Sequence, residues 1–323
     1  MSESSPALRV APSPHLAQGS FTTRRMMIDV LIALAPVIAV ALWVFRWYAV
    51  KQVGLSVLAC LAFEALFTSW RGRRPTLGDA SAAVTGLILG LSLPWSAPWY
   101  VSVIASMVAV GIGKIVFGGL GQNLFNPAMV GRAFVMICFP AALGAAAYTV
   151  AGAGLEVITQ ATPLTAAKQL GEATGFTALA LGTANGSLGE TSALACLIGG
   201  LYLCLRRTAS WEIPLGTLAS VGVIASIAWW IAPGALTHPL HHLLGGALLF
   251  GAFFIATDPV TSPLTGRGKL IFGAGLGALV MLIRLASGYP EGVMFAVLLM
   301  NAVVPLINRW TIPEPVGGPV PAR

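Results

Sequence analysis

The run Glu156-Val157-Ile158-Thr159-Gln160-Ala161-Thr162-Pro163-Leu164-Thr165 sets three threonine hydroxyls among small residues, inside one of the few long stretches of the chain that are not hydrophobic. A hydroxyl there is on offer to chemistry outside an apolar medium. Threonine oxygen is a poor nucleophile alone, so a group joined to it has to be transferred by an enzyme that activates it. An exposed loop of small residues is what such an enzyme can reach. The plain alternative for Thr162 is a turn hydroxyl ahead of Pro163.

Two further segments carry polar groups at useful spacing. In Asn123-Leu124-Phe125-Asn126-Pro127-Ala128, two amides three residues apart flank an aromatic ring. That arrangement suits an uncharged heteroaromatic ligand, and the free N–H groups of a helix start add donors. The same residues also make an ordinary cap, Asn126 with Pro127 at the first helical position. In Ala256-Thr257-Asp258-Pro259-Val260-Thr261-Ser262-Pro263, Asp258 could hold a cation or accept from a ring N–H; the plain alternative is a cap, or a pair with Arg267 or Lys269.

Asp29 and Glu64 fall inside apolar runs, where an acid is costly and a functional candidate by default. Pairing of Asp29 with Arg25, and of Glu64 with Arg71 two turns on, is the structural alternative. His238, His241 and His242 have metal-like spacing, but Pro239 interrupts them and no carboxylate is near in sequence, so a metal site is disfavoured. Cys60, Cys138, Cys196 and Cys204 read as small buried hydrophobes. No phosphate-binding glycine loop, dinucleotide fingerprint or nucleophile elbow occurs.

The elements that must position these residues are membrane helices. Only 9% of the 323 residues are charged and 57% are hydrophobic, against about a quarter charged in soluble domains. Such a chain cannot cover a water-facing surface. The net charge of +7 is then an orientation signal rather than a nucleic-acid footprint. Runs long enough to span predict about ten helices, near 26–45, 53–70, 80–94, 100–117, 127–147, 192–205, 213–231, 240–256, 270–286 and 291–307. The expected organisation is a cytoplasmic segment over 1–25, a transmembrane domain over 26–310, and a flexible cytoplasmic tail over 311–323. Within the transmembrane domain, halves 26–147 and 191–310 flank a loop at 148–190. No cleavable signal peptide is expected. Fourteen of the 18 basic residues fall on the side of the termini, and Arg46, Lys51, Lys168 and Arg284 on the other. By the positive-inside rule both termini are cytoplasmic, and the 148–190 loop, with Thr162, is outside.

An internal repeat is also visible. Ser92-Leu93-Pro94-Trp95-Ser96-Ala97-Pro98 resembles Thr257–Pro263, with Gly86 and Gly251 at equal distances before the first prolines, and Pro127 and Pro290 further on. Five spans per half make the second half inverted, an all-α transporter-like architecture with a polar pocket between the halves. The proline-bracketed segments interrupt helices, and broken backbone survives at membrane depth only where protein buries it or it lines a cavity. Ordinary short loops remain the alternative. Gly86/Gly90 and Gly273/Gly277 are expected to serve helix packing.

Together these residues resemble the RnfD/NqrB family, membrane subunits of the Rnf ferredoxin:NAD electron-transport complex and of the sodium-pumping quinone reductase. The resemblance rests on Ser13-Pro14-His15 before the first span, on Asn123–Ala128 running into Gly131-Arg132-Ala133-Phe134, and on Thr257–Pro263. It also rests on the family's flavinylation pattern: an acid, two variable positions, Ser or Thr, a variable position, then Ala-Thr. Here that pattern reads Glu156, Thr159, Ala161 and Thr162, with Glu for the usual Asp and Gln160 for the usual Gly. The likeness spans roughly 13–310, and the compact start places the chain nearer the RnfD branch.

The resemblance implies FMN linked through its phosphate to Thr162, installed from FAD by a flavin transferase. It implies a second, non-covalent riboflavin in the membrane part, for which Asn123, Asn126 and Asp258 are the candidate contacts. It further implies a multi-pass bacterial inner-membrane protein that works with RnfA, RnfB, RnfC, RnfE and RnfG and passes electrons while the complex moves Na+ or H+. A small-solute channel or transporter on the same inverted repeat, and a scaffold without cofactor, are the rival readings.

Overall fold

The computed structural model describes residues 22–72, 77–143, 162–169, 174–182, 185–232, 237–287 and 291–313. Among them the chain is helical, with one isolated β-bridge between Pro94 and Ser187. The helices are α1 (Thr23–Phe45), α2 (Trp47–Trp70), α3 (Ser81–Ser92), α4 (Trp99–Val110), α5 (Pro127–Cys138), α6 (Pro140–Leu143), α7 (Pro163–Gln169), α8 (Phe176–Leu181), α9 (Ala193–Leu205), α10 (Glu212–Ile231), α11 (Pro239–Leu244), α12 (Leu248–Phe250), α13 (Gly266–Ala286) and α14 (Val293–Thr311). Single π-turns extend α4 over Gly111–Ile115 and α12 over Gly251–Ile255.

Five helices, α1, α2, α10, α13 and α14, are long and apolar enough to cross a membrane. Their outer faces carry large apolar side chains that no soluble protein could expose in such number. Eight of the nine tryptophans are exposed, and Trp95 is the buried one. Trp43, Trp47, Trp99, Trp229 and Trp230 lie at the helix ends where α1 turns into α2. Trp70, Trp211 and Trp310 lie at the opposite ends. Two belts of amphipathic rings at the two ends of a bundle are the arrangement a bilayer's interfaces select.

The helix starts follow local chemistry. Thr22, Asn126, Ser192 and Thr265 each accept a backbone N–H of the first turn through their side chains. Pro127 and Pro239 occupy the first turns of α5 and α11, where no N–H is missed. The turn from α1 to α2 is a single residue, Arg46, with a positive φ of 50°.

Glycines bring the helices into contact. A Cβ at Gly86 would lie 2.6 Å from the Val57 Cα, and one at Gly90 3.0 Å from the Val53 Cα, so α3 lies backbone-close on α2. Gly273 and Gly277 face the carbonyls of Ile213 and Thr217 in the same way, drawing α13 onto α10. Both small-residue pairs thus serve helix packing, as expected. The heaviest packing joins α10 to α13, α2 to α3 and α4, α4 to α5, α1 to α9, and α13 to α14.

Several expectations need correction. The run 240–256 is not one helix: α11 ends at Leu244, Gly245 and Gly246 break the axis, and a short helix with a π-turn resumes. The run 127–147 stops at Cys138, and a separate turn at Pro140–Leu143 follows. Asp29 is paired, but with Arg206 at 3.2 Å and the Thr208 hydroxyl at 3.0 Å rather than with Arg25. Glu64 pairs with Lys114 at 2.8 Å, while Arg71 donates to the carbonyl of Ile115. A sequence neighbour loses to a spatial one because these acids face the bundle interior.

Candidate functional site

Two polar clusters stand inside this apolar frame. The first is a cavity among the start of α1, α3, the π-turn after α4, the start of α5, the end of α9 and the segment after α12. Its empty volume is about 770 Å³, counting the open mouth. Asn123, Asn126 and Asp258 all line it, together with Ser81, Lys114, Thr208 and Thr257. The near neighbours Asn123 and Asn126 are thereby brought together with Asp258, which is distant in sequence.

Each is held in place. Asn126 caps α5 by accepting from the Met129 N–H at 3.2 Å, and its amide reaches the Ile255 carbonyl at 3.4 Å. Its own N–H donates to Asn301 Oδ1 at 3.1 Å, while Asn301 donates to the Thr261 carbonyl at 3.0 Å. Asn301 of α14 thus ties the two proline-rich segments together. Asp258 accepts from the Val260 N–H at 3.1 Å and the Thr261 hydroxyl at 3.2 Å, a closed local turn. Burial still pushes its carboxyl above the usual range. Asn123 donates to the Phe125 carbonyl at 3.2 Å, but its buried Oδ1 has no hydrogen-bond partner. An orphaned amide oxygen on a cavity wall is a place for a ligand donor. Lys114 closes one side, donating to both Glu64 oxygens at 2.8 Å and to Ser81 Oγ at 2.6 Å.

The second cluster surrounds Thr162. Its hydroxyl is half-buried, not displayed on an open loop: it caps α7, lying 2.7 Å from Thr165 Oγ1 and 3.4 Å from the Thr165 N–H. The sequence showed a turn hydroxyl or an exposed attachment point; the Thr-Pro pair instead starts a helix. Glu156, Thr159 and Ala161 lie outside the described residues, as do the rest of 148–161 and the short stretches 170–173 and 183–184. Thr162 opens on a crevice lined by Leu164, Leu179, Asn185, Glu190, Gly246 and Glu291.

Glu190 ends a buried return of the chain, 185–190, whose Leu188 and Gly189 N–H groups pair with the carbonyls of Leu93 and Leu91 at the end of α3. Arg132, from the second turn of α5, lies 3.6 Å from both Glu190 and Glu291. Glu291 Oε1 also accepts from the Ala247 N–H at 2.9 Å, just past the break after α11. Arg284 of α13 donates to the carbonyls of His242 and Gly245, at 2.6 and 3.2 Å, satisfying the end of α11. Gly246 has a left-handed φ of 70°, and a Cβ there would collide with Glu291. Loss of solvent, then the neighbouring Glu291 charge, drives the Glu190 carboxyl up to about 8 against the opposing pull of Arg132.

Sequence reasoning missed Glu190, Glu291, Arg132 and Arg284 as a group, and Lys114 and Asn301 at the cavity. The available signal was scarcity: with 11 acids in 323 residues, every acid bordering an apolar run is informative. His238 meets Phe176, Trp229 and His241 edge-on, and His241 lies tilted against Phe176.

Comparison with known proteins joins this geometry to a family. The family described as NQR2, RnfD, RnfE matches residues 9–317. The chain is 39% identical over 319 residues to the D component of the proton-translocating ferredoxin:NAD(+) oxidoreductase complex of Clostridium ljungdahlii, covering 95% of this chain and 96% of that one. It is 39% identical to the D component of the Na(+)-translocating ferredoxin:NAD(+) oxidoreductase complex of Acetobacterium woodii, covering 94% and 93%. It is 43% identical to the D component of the ion-translocating oxidoreductase complex of Stutzerimonas stutzeri, covering 91% and 92%.

Proposed function

The chain belongs to the NQR2, RnfD, RnfE family, and from that premise we propose that it is the RnfD-type membrane component of an Rnf complex. In this reading it passes electrons between its partners, RnfA, RnfB, RnfC, RnfE and RnfG, while the complex moves Na+ or H+ across the bacterial inner membrane. Relatives named for either ion share this chain at equal identity, so the ion is left open. Both termini are cytoplasmic and the Thr162 side is periplasmic. Ten spans form two inverted halves. The packing supports this: α2 lies on α4 as α10 lies on α13, and α4 on α5 as α13 on α14, while α1–α9 and α5–α14 join equivalent members of the two halves.

FMN is carried on the Thr162 oxygen through its phosphate, attached by a flavin transferase, and riboflavin occupies the cavity at Asn123, Asn126 and Asp258. Bound flavin would supply one- and two-electron transfer, with its potential set by the protein. The residues fit the two groups. Asn123 offers an unsatisfied amide oxygen to a ring N–H, Asn126 is fixed at a helix start, and Asp258 adds an acceptor. Leu164 and Leu179 supply an apolar part of the crevice wall at Thr162. The observation that carries the reading is the position of Thr162: the hydroxyl selected by the Glu156–Thr162 pattern opens on a crevice walled by buried charge. The protein, denatured and run on a gel from cells that contain the transferase, should fluoresce as a flavin under ultraviolet light, and Thr162→Ala should be dark yet still inserted in the membrane. A dark wild-type band would refute covalent flavin; a fluorescent Thr162→Ala would place it on another hydroxyl.

A further inference from the structure

Two charged residues line the cavity at Asn123 and Asn126, and they are held differently: Lys114 and Asp258. Asp258 is turned into its own loop, where its two oxygens accept from the Val260 N–H and the Thr261 hydroxyl. Lys114 stands buried in the π-turn after α4. Its ammonium donates to both Glu64 oxygens and to Ser81 Oγ. Ser81 is fixed in turn by donating to Asp79 Oδ1 at 2.6 Å. Lys114 and Ser81 line the cavity, but Glu64 and Asp79 do not. The ion pair is thus layered, with its cation at the wall and its anion behind. Neither member of the Asp29–Arg206 pair lines the cavity; Thr208, which donates to Asp29, does. The π-turn also sets Lys114 beside the start of α5, since a Cβ at Gly113 would lie 2.9 Å from the Pro127 Cα. That start is the positive end of a helix dipole and borders the cavity through Asn126, Pro127 and Ala128. In the same cavity the buried Asn123 Oδ1 has no hydrogen-bond partner, an open acceptor for a ring N–H.

We propose that Lys114, with Glu64 behind it, biases this cavity toward the electron-rich form of the ring it holds, so that the Lys114 charge raises the ring's reduction potential. The inference rests on the riboflavin reading of the cavity. A ring that takes one electron, originating from reduced ferredoxin in the proposed complex, gains one negative charge. No bond forms or breaks in that step, and no proton need move. The oxidised ring is uncharged, so a nearby cation acts on one form and not on the other. In a site lined largely by apolar groups that attraction is weakly screened. The three bonds that hold the ammonium are in place before the electron arrives, so little has to reorganise when it does. Glu64 is a positioning residue: it fixes the lysine and partly cancels its charge. The two members of the pair should therefore act on the potential with opposite signs. Losing the cation penalises the reduced ring; losing the anion behind it strengthens the cation. A pair that served packing alone would shift the potential in one direction whichever member was removed.

The test is a spectroscopic redox titration of the full-length chain supplied with riboflavin, in a Thr162→Ala background so that the flavin observed is the non-covalent one. Lys114→Met should lower the equilibrium constant for one-electron reduction at least tenfold, a fall of about 59 mV. Glu64→Gln should raise it by a similar factor. Lys114→Arg, which keeps the charge, should stay within about threefold of the parent. Glu64→Gln removes one partner of a buried pair, so the double variant Glu64→Leu with Lys114→Met guards against loss of the fold. It should lower the constant, by less than Lys114→Met alone, because the cation at the wall is gone and no anion remains behind it. Bound riboflavin whose potential moves the same way in Lys114→Met and Glu64→Gln overturns the electrostatic role. So does a double variant with the parent's potential, and either result leaves the riboflavin reading standing. A parent chain that binds no riboflavin overturns the cavity reading, and this inference with it.

Discussion

At the scale of single residues, the buried acids show how much a chain poor in charge invests in each one. Glu64 is 1% exposed and Lys114 3% at their side chains, and they meet at 2.8 Å with Ser81 as a third partner. Breaking a buried pair by removing one partner leaves an uncompensated charge and costs about 3–5 kcal/mol. Glu64→Gln should therefore lower the thermal stability of the purified complex strongly, while Glu64→Leu combined with Lys114→Met should recover much of the loss. A double variant no more stable than the single one would mean that the pair is not what holds α2 to the π-turn after α4. The sequence flagged Glu64 as costly but offered Arg71 as its partner, because only chain proximity was visible. The same limit hid the meeting of Glu190 with Glu291, which lie far apart along the chain.

At the scale of elements, small residues and helix breaks decide what can approach what. Gly86 and Gly90 were legible as a packing pair, since a four-residue spacing places both on one helix face. Which helix they face was not legible. The structure answers α2, with the Val57 backbone directly beneath Gly86. Gly86→Val should push α3 off α2 and cost about 1–3 kcal/mol, read as a lower melting temperature; a neutral result would mean that the two backbones can separate freely. The break at Gly245–Gly246 is an element-level fact that hydropathy missed, because a window average runs straight through it. It matters because it frees the carbonyls of His242 and Gly245 for Arg284 and the Ala247 N–H for Glu291.

At the scale of the molecule, one helix connects the two polar clusters. Asn126 caps α5 at the cavity, and Arg132, further along the same helix, reaches the Thr162 cluster. At 1.5 Å per residue that is about 9 Å along the axis, so in the proposed reading the two flavin sites are neighbours through α5. The orientation has its own check. Single cysteines at Arg207 and Thr237, flanking α10, should react with a membrane-impermeant thiol reagent from opposite sides, Thr237 from the periplasm; labelling of both from one side would refute the proposed topology. The basic residues that orient the chain are fewer than a count suggests, since Lys114 and Arg132 are used inside the bundle.

The sequence by itself determined that this is a helical membrane protein, roughly where its helices run, and which threonine and asparagines to watch. Those properties are local: hydropathy, capping chemistry and short motifs are written in neighbouring residues. Tertiary structure alone decided that Asn123, Asn126 and Asp258 share one cavity, that Thr162 sits half-buried at a helix start, and that Glu190, Glu291, Arg132 and Arg284 converge behind it. Burial, pairing and proton affinity depend on groups brought together from distant parts of the chain. No spacing along the sequence encodes a distance across the fold.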